Sequence, residues 1–267
     1  MGAPAYMPRL TAYAHRSQEN NHGAGKDPLA SEFQCIRVPG NLKQIDAGAG
    51  QVYGVNDDGN IFSFVNNIWQ QVPGQLVHVS VGPAGVWGVN NASIVFRFQN
   101  NQWKSVTGLL KQVDAGGNIF LGGVNYQNCV FCLSQSCTSS KASMVTFTSL
   151  DGSLKYYSCG PFGCWGVNSV NNIFFRQNVT PDVCEGSQWQ QINGKLVKLE
   201  VGTDGSVYGV NHLGTAYRRE GISAVTPTGT SWTALDFSFK FKHVTYDAGF
   251  LWLLTETGVI HRCYNEN

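Results

Sequence analysis

The chain has 267 residues, of which 13% are charged, 42% hydrophobic and 12% aromatic, with 31 glycines and a formal net charge of +1. So small a net charge leaves no electrostatic footprint for a phosphate backbone, which sets nucleic acid aside as a partner. No apolar run comes near the roughly 20 residues of a membrane-spanning helix, so no membrane insertion is expected, and glycine-dense, charge-poor chains are built from short strands and tight turns.

In chain order, residues 1–33 show no hydrophobic period and are rich in Ala, Gly, Asn and His. They lack the apolar core of a secretory signal, and Tyr6 stands where a myristoylation signal needs Ser or Thr. This stretch reads as a disordered leader or tail, and one folded domain is expected over 34–267. Cys35-Ile36-Arg37-Val38-Pro39-Gly40 then reads as a lone strand. Leu42-Lys43-Gln44-Ile45-Asp46 alternates, Tyr53-Gly54-Val55-Asn56 follows, then Ile61-Phe62-Ser63-Phe64, and a Trp-led segment, Trp69-Gln70-Gln71-Val72, ends before Pro73-Gly74. Those are four strand signals separated by turn residues.

The same four segments recur along the chain. The phrase aromatic-Gly-Val-Asn returns with Trp87 to Asn90, Trp165 to Asn168 and Tyr208 to Asn211. Gly122 replaces the aromatic ahead of Asn125, and Trp252 keeps its slot in a degenerate last copy. Trp103, Phe147, Trp189 and Trp232 fill the slot of Trp69. Four strands per repeat and six repeats predict an all-β, six-bladed β-propeller. The last repeat runs out of chain after Cys263, while the lone Cys35 segment matches the Trp69 segment, so the N-terminal strand is expected to complete the last blade.

Eight cysteines, most near strand ends, suit an oxidising compartment and a disulfide framework. The shared last blade predicts a Cys35–Cys263 bond, and Cys159 and Cys164, flanking Gly-Pro-Phe-Gly, predict a hairpin staple. Cys129, Cys132, Cys137 and Cys184 complete the disulfide set with three connectivities open. A zinc site over Cys129, Cys132 and Cys137 is disfavoured, because residues three apart on a strand face opposite ways.

The aromatic-Gly-Val-Asn phrase and the Trp-led outer strand resemble the tectonin repeat of tachylectin-like proteins over Gln34 to Asn267. Within that group, the Cys35 and Cys263 closure and the Cys159 and Cys164 hairpin resemble the fish-egg lectins. The resemblance implies a secreted, extracellular, non-enzymatic lectin of innate egg defence, with no required cofactor. It would bind N-acetylglucosamine-containing glycans of microbial or egg-coat surfaces, bacterial surface polysaccharide included, with a homodimer left open. The alternative is a propeller scaffold that binds proteins of an egg envelope.

Sugar binding needs a ring for the apolar pyranose face and an amide for hydroxyl or acetamido groups. Tyr53 with Asn56, Trp87 with Asn90, Trp165 with Asn168 and Tyr208 with Asn211 are therefore the expected carbohydrate-binding pairs, against blade packing for the rings and turn capping for the asparagines. On the innermost strands Asp46, Asp114, Glu200 and Asp247, with Ser80 and Ser158 between, align on one level of the channel. Such an oxygen-rich ring could take a structural calcium, or could instead accept backbone N–H groups. Asn91-Ala92-Ser93 is an expected glycosylation sequon and Asn178-Val179-Thr180, followed by Pro181, a poorer one. Arg97, Arg176, Arg218 and Arg262 could reach anionic sugars. Catalysis usually breaks repeat symmetry, whereas the carboxylates here are repeat-equivalent and no sialidase-type box is present, so no catalytic residues are expected.

Overall fold

The computed structural model describes residues 33–265. These form six four-stranded antiparallel sheets. The sheets follow one another along the chain as the blades of a propeller, each with its first strand innermost. Blade 1 is Gln44–Gly48, Gln51–Val55, Asn60–Val65 and Ile68–Gln75, and blades 2 to 5 occupy 78–109, 112–150, 156–195 and 198–234. Blade 6 is Phe241–Asp247, Phe250–Thr255 and Val259–Asn265, completed on its outer side by the N-terminal strand Phe33–Asn41. Cys35 pairs in register with Cys263 and is bonded to it. The expected leader lies outside the described residues except for Phe33, which opens that outer strand. Among the described residues no helix is long and apolar enough to cross a membrane.

The repeated phrase has a packing origin at every letter. Its valines, Val55, Val89, Val124, Val167 and Val210, are fully buried. Its glycines sit under a leucine of the same blade: a Cβ on Gly54 would lie 2.5 Å from Leu42, and one on Gly88 would lie 2.4 Å from Leu76. Interiors packed at crystal density leave no slack for such an atom. Blade 3 departs from the pattern because Tyr157 and Cys159 of blade 4 fill the ring space, each within 3.0 Å of a Cβ built on Gly122.

Cys159 and Cys164 are bonded as the hairpin staple expected. Of the four remaining cysteines, Cys132 is bonded to Cys184. Cys129 and Cys137 carry free thiols, which corrects their place in the disulfide set. Cys132 is buried on the third strand of blade 3, facing the long loop of blade 4 that brings Cys184 in. Cys129 stands exposed before that strand, and Cys137 lies on the helical turn Gln135–Thr138 after it.

Candidate functional site

The second-strand rings expected to stack on sugars are buried between blades. Trp87 is 0% exposed, Trp165 2%, Tyr208 3% and Tyr53 9%. Trp87 donates its indole N–H to the Ala84 carbonyl at 2.8 Å, and the Arg97 guanidinium lies 5.0 Å from its ring centre. Trp165 packs edge-on against Phe175 and Trp232. No face is left for a pyranose, so their part in sugar binding is corrected to one in the inter-blade core.

The paired asparagines cap turns. Asn90 Oδ1 accepts from the Ala92 and Ile94 N–H groups, Asn168 Oδ1 from Val170 and Asn172, and Asn211 Oδ1 from Leu213 and Thr215. Asn56 Oδ1 accepts from Asn60. Short polar side chains serve this purpose where the chain reverses. Each amide oxygen is thus committed, while the amides stay half-exposed at one end of the propeller.

The inner ring forms, with one substitution. Thr245 pairs with Trp252 as Asp46 pairs with Tyr53, so Thr245 fills the sixth slot. Asp247 lies two residues further along, where its Oδ2 accepts from the Gly50 N–H at 2.7 Å. Asp247, expected in the ring, stands outside it because strand pairing sets Thr245 opposite Trp252 and Asp247 opposite Phe250. Around the channel the order is Asp46, Ser80, Asp114, Ser158, Glu200 and Thr245, acids alternating with hydroxyls.

Every carboxylate oxygen in that ring lies within hydrogen-bond distance of a donor group, two of them sharing the Ser158 hydroxyl. Asp46 accepts from Ser80 Oγ at 2.7 Å, Val81 N–H at 2.8 Å and Thr245 Oγ1 at 3.1 Å. Asp114 accepts from the Cys159 and Gly116 N–H groups, and Ser158 Oγ lies 3.0 Å from Asp114 and 2.9 Å from Glu200. The Tyr156 hydroxyl donates to Glu200. The acids are joined through hydroxyls and do not gather round a common centre. Among the described residues the one trio of ligand-bearing side chains within 4.8 Å is Cys132, Cys184 and Glu185, whose thiols are already bonded. The ring therefore does not fit the cage of six to eight oxygens that calcium takes.

Ser158 has one proton for two carboxylates, so one acid must keep its own. Burial, reinforced by the neighbouring acid charges, raises Asp114 to about 8 and Glu200 well above the carboxylate range, and burial raises Asp46 to about 6. Buried His78 is pushed down to about 3, and His243, held by the Ile45 carbonyl at 2.7 Å, is also lowered.

Of the four arginines expected to reach anionic sugars, Arg97 and Arg176 are buried, and Arg218 and Arg262 are partly buried. Arg97 donates to the Thr138 carbonyl at 2.7 Å, and Arg176 pairs with Asp151 at 2.6 Å and binds the Glu185 carbonyl. Arg218 pairs with Glu220, and Arg262 lies across the Phe250 ring.

Open space lies between blades at the asparagine end. A cavity of about 600 Å³ between blades 1 and 2 is lined by Lys43, Asn56, Asp58, Gln75, Asn90 and the exposed sequon residue Asn91. Another, of about 250 Å³ between blades 4 and 5, is lined by Lys195, Leu196, Asn211, His212, Tyr217 and Trp232. They are equivalent places in the repeat, since Gln75 and Lys195 close their outer strands just as Asn90 and Asn211 end the phrase. In the second, the Asn211 amide donates to the Tyr217 hydroxyl at 3.3 Å, beside the half-buried Trp232 ring. Tyr217 and His212 lie outside the repeated phrase; the usable signal is an aromatic on the third strand two residues before Arg219, the partner of the outer-strand Trp232.

The Tectonin domain family model matches residues 41–256. The chain belongs to the tectonin family. Its relatives include the fish-egg lectin of Cyprinus carpio, 52% identical over 234 residues that span 86% of this chain and 98% of that protein. A 75-residue stretch, 26% of that protein, is 37% identical to the perivitellin-2 31 kDa subunit of Pomacea maculata. Similar folds are those of virginiamycin B lyase from Staphylococcus aureus, at TM-score 0.56 and 13% identity, covering 87% of this chain and 99% of that one. YCF48 from Cyanidioschyzon merolae follows at 0.53 and 14%, with coverages of 84% and 82%. At such identities the likeness shows the propeller fold alone.

The inner ring of this tectonin has a pH consequence. An acid whose folded pKa is raised stabilises the fold fully below its unfolded value, and that stability is lost as pH rises through the folded value. The lowered histidines act the other way but only below their unfolded value near 6.5. Between pH 6.5 and 8 the histidines no longer oppose Asp114 and Glu200, and buried Lys198, lowered by desolvation, is the group of opposite sign beside them. The melting temperature is expected to fall across that window, by a stability on the order of 1–2 kcal/mol. Asp114→Asn should flatten part of the fall in a calorimetric pH series. A melting temperature that rises with pH would mean the acids are ionised in the fold.

Proposed function

We propose that this tectonin is a secreted, non-enzymatic lectin that binds N-acetylglucosamine-containing glycans of microbial or egg-coat surfaces in the clefts between blades. The cleft between blades 4 and 5 carries this reading: an aromatic edge, a phenol and the Asn211 amide converge there within reach of a single sugar. The carp relative is named a fish-egg lectin, which supports carbohydrate as the ligand class. Trp232 and Tyr217 supply the apolar surface, and Asn211, His212 and Lys195 supply polar groups for hydroxyl and acetamido atoms. The equivalent cleft between blades 1 and 2 is richer in amide and carboxylate groups and lacks the rings, so the two differ in preference.

Single shallow sites bind weakly, and several on one propeller raise avidity on a glycan-coated surface by about 10² to 10⁴. Glycan-array binding competed by free N-acetylglucosamine tests the function. No binding by correctly oxidised protein would overturn it and favour the egg-envelope scaffold. Tyr217→Ala is expected to weaken binding in the blade 4 and 5 cleft about tenfold, the loss of one hydrogen bond and a ring contact, as read by titration calorimetry.

A further inference from the structure

Five of the six joints between blades are closed on the outside by the same contact. An aromatic on one outer strand, or just before it in blade 3, covers a glycine of the preceding blade: Trp69 on Gly40, Trp103 on Gly74, Phe147 on Gly108, Trp189 on Gly152 and Trp232 on Gly194. A Cβ on any of these glycines would stand 2.8 to 3.6 Å from the ring. In two of them the indole N–H also finds a carbonyl, Trp189 on Asp151 at 2.9 Å and Trp232 on Asn193 at 3.0 Å.

The sixth joint, between blades 5 and 6, has no such ring. Cys35 holds the aromatic slot of blade 6 and is tied to Cys263 on its own blade. Across from it, blade 5 leads into blade 6 through the stretch 235–241, Leu-Asp-Phe-Ser-Phe-Lys-Phe, where blade 4 leads into blade 5 through the shorter 192–196. Phe237 turns inward onto Phe33, at 6.1 Å between ring centres, and onto Phe241 at 5.5 Å. It fills only part of the space. A cavity of about 420 Å³ remains, walled by Phe33, Cys35, Phe237 and Phe241, with Asp236 and Ser238 also lining it. Phe239 stands 54% exposed on its rim, its ring 4.7 Å from that of His261.

We propose that this joint is a binding site for a small neutral aromatic molecule of indole size with an N–H edge. The five other joints show what the position accepts, a planar apolar ring, and in two of them the ring edge donates to the backbone carbonyl of the residue that Asp236 replaces here. The cavity falls in the volume range of small-molecule sites, about 300 to 1,000 Å³. Phenylalanine rings favour edge and offset contacts with a second aromatic. An exposed Phe beside an apolar cavity, unlike a scattered surface Phe, has ring area that a ligand would remove from water. The site is on the outer rim and uses none of the asparagine-end residues of the proposed glycan clefts.

The test is fluorine NMR of 5-fluoroindole titrated into the oxidised protein. Saturable broadening is expected, unchanged by excess N-acetylglucosamine. Phe239→Ser, at an exposed position, should leave the melting temperature in place and weaken binding about fivefold, the worth of one aromatic contact. Ser238→Trp, which places a ring across the mouth, should abolish it. No broadening, equal broadening in both variants, or displacement by N-acetylglucosamine would overturn the proposal; the first two leave the glycan reading untouched, and the third would place the sugar at this joint.

Discussion

Trp87→Ala is expected to destabilise the propeller by about 3–5 kcal/mol, the range for deleting a large buried aromatic. In a domain of this size each kcal/mol moves the melting temperature by about 2–4 °C, so a loss of about 10 °C is expected. Trp87 is fully buried, lies under the Arg97 guanidinium and donates to the Ala84 carbonyl. Its removal opens a void and leaves Arg97, itself 4% exposed, without the ring it covers. Glycan affinity of the protein that remains folded should stay within about twofold, since no ring face reaches solvent. Calorimetry on the one sample reads both quantities. Lost binding with an unchanged melting temperature would return Trp87 to the ligand surface.

Removing the Cys35–Cys263 bond as the double Ser variant is expected to cost about 5 kcal/mol, against about 2 kcal/mol for Cys159 and Cys164. The contrast comes from the loops that are closed. The first bridge spans 228 residues and the second spans 5, and the denatured chain loses more freedom to the longer tie. The first also holds the outer strand of the blade in which the two ends of the ring meet. Denaturant unfolding of the two double variants separates these effects. Equal losses would show that each bridge acts only on its local hairpin.

Much of this could be read from local sequence. Period-two alternation and a phrase repeated five times give strands and blades without any tertiary knowledge, because backbone pairing and turn chemistry are near-neighbour properties. The match of the Cys35 segment to the Trp69 segment gave the closure and its disulfide. The candidate site was less legible. Repetition marked Tyr53, Trp87, Trp165 and Tyr208, but repeated positions are those that blade-on-blade packing needs, and the structure buries them. Tyr217 and His212, which reach the cleft, have no counterpart of the same type at Phe96 and Asn91. Cys132 found Cys184 through a loop whose path no spacing encodes.

The sequence by itself thus determined the number of blades, the strand order and the shared last blade, all consequences of short-range pattern and of a repeat that must stack to bury its faces. Only the tertiary structure decided which side of each strand is covered. That choice turned the phrase rings into core, and placed Thr245 where Asp247 had been counted. It also left open the clefts between blades and the one joint where Cys35 replaces a ring, since burial is set by the neighbouring blade and not by the residue itself.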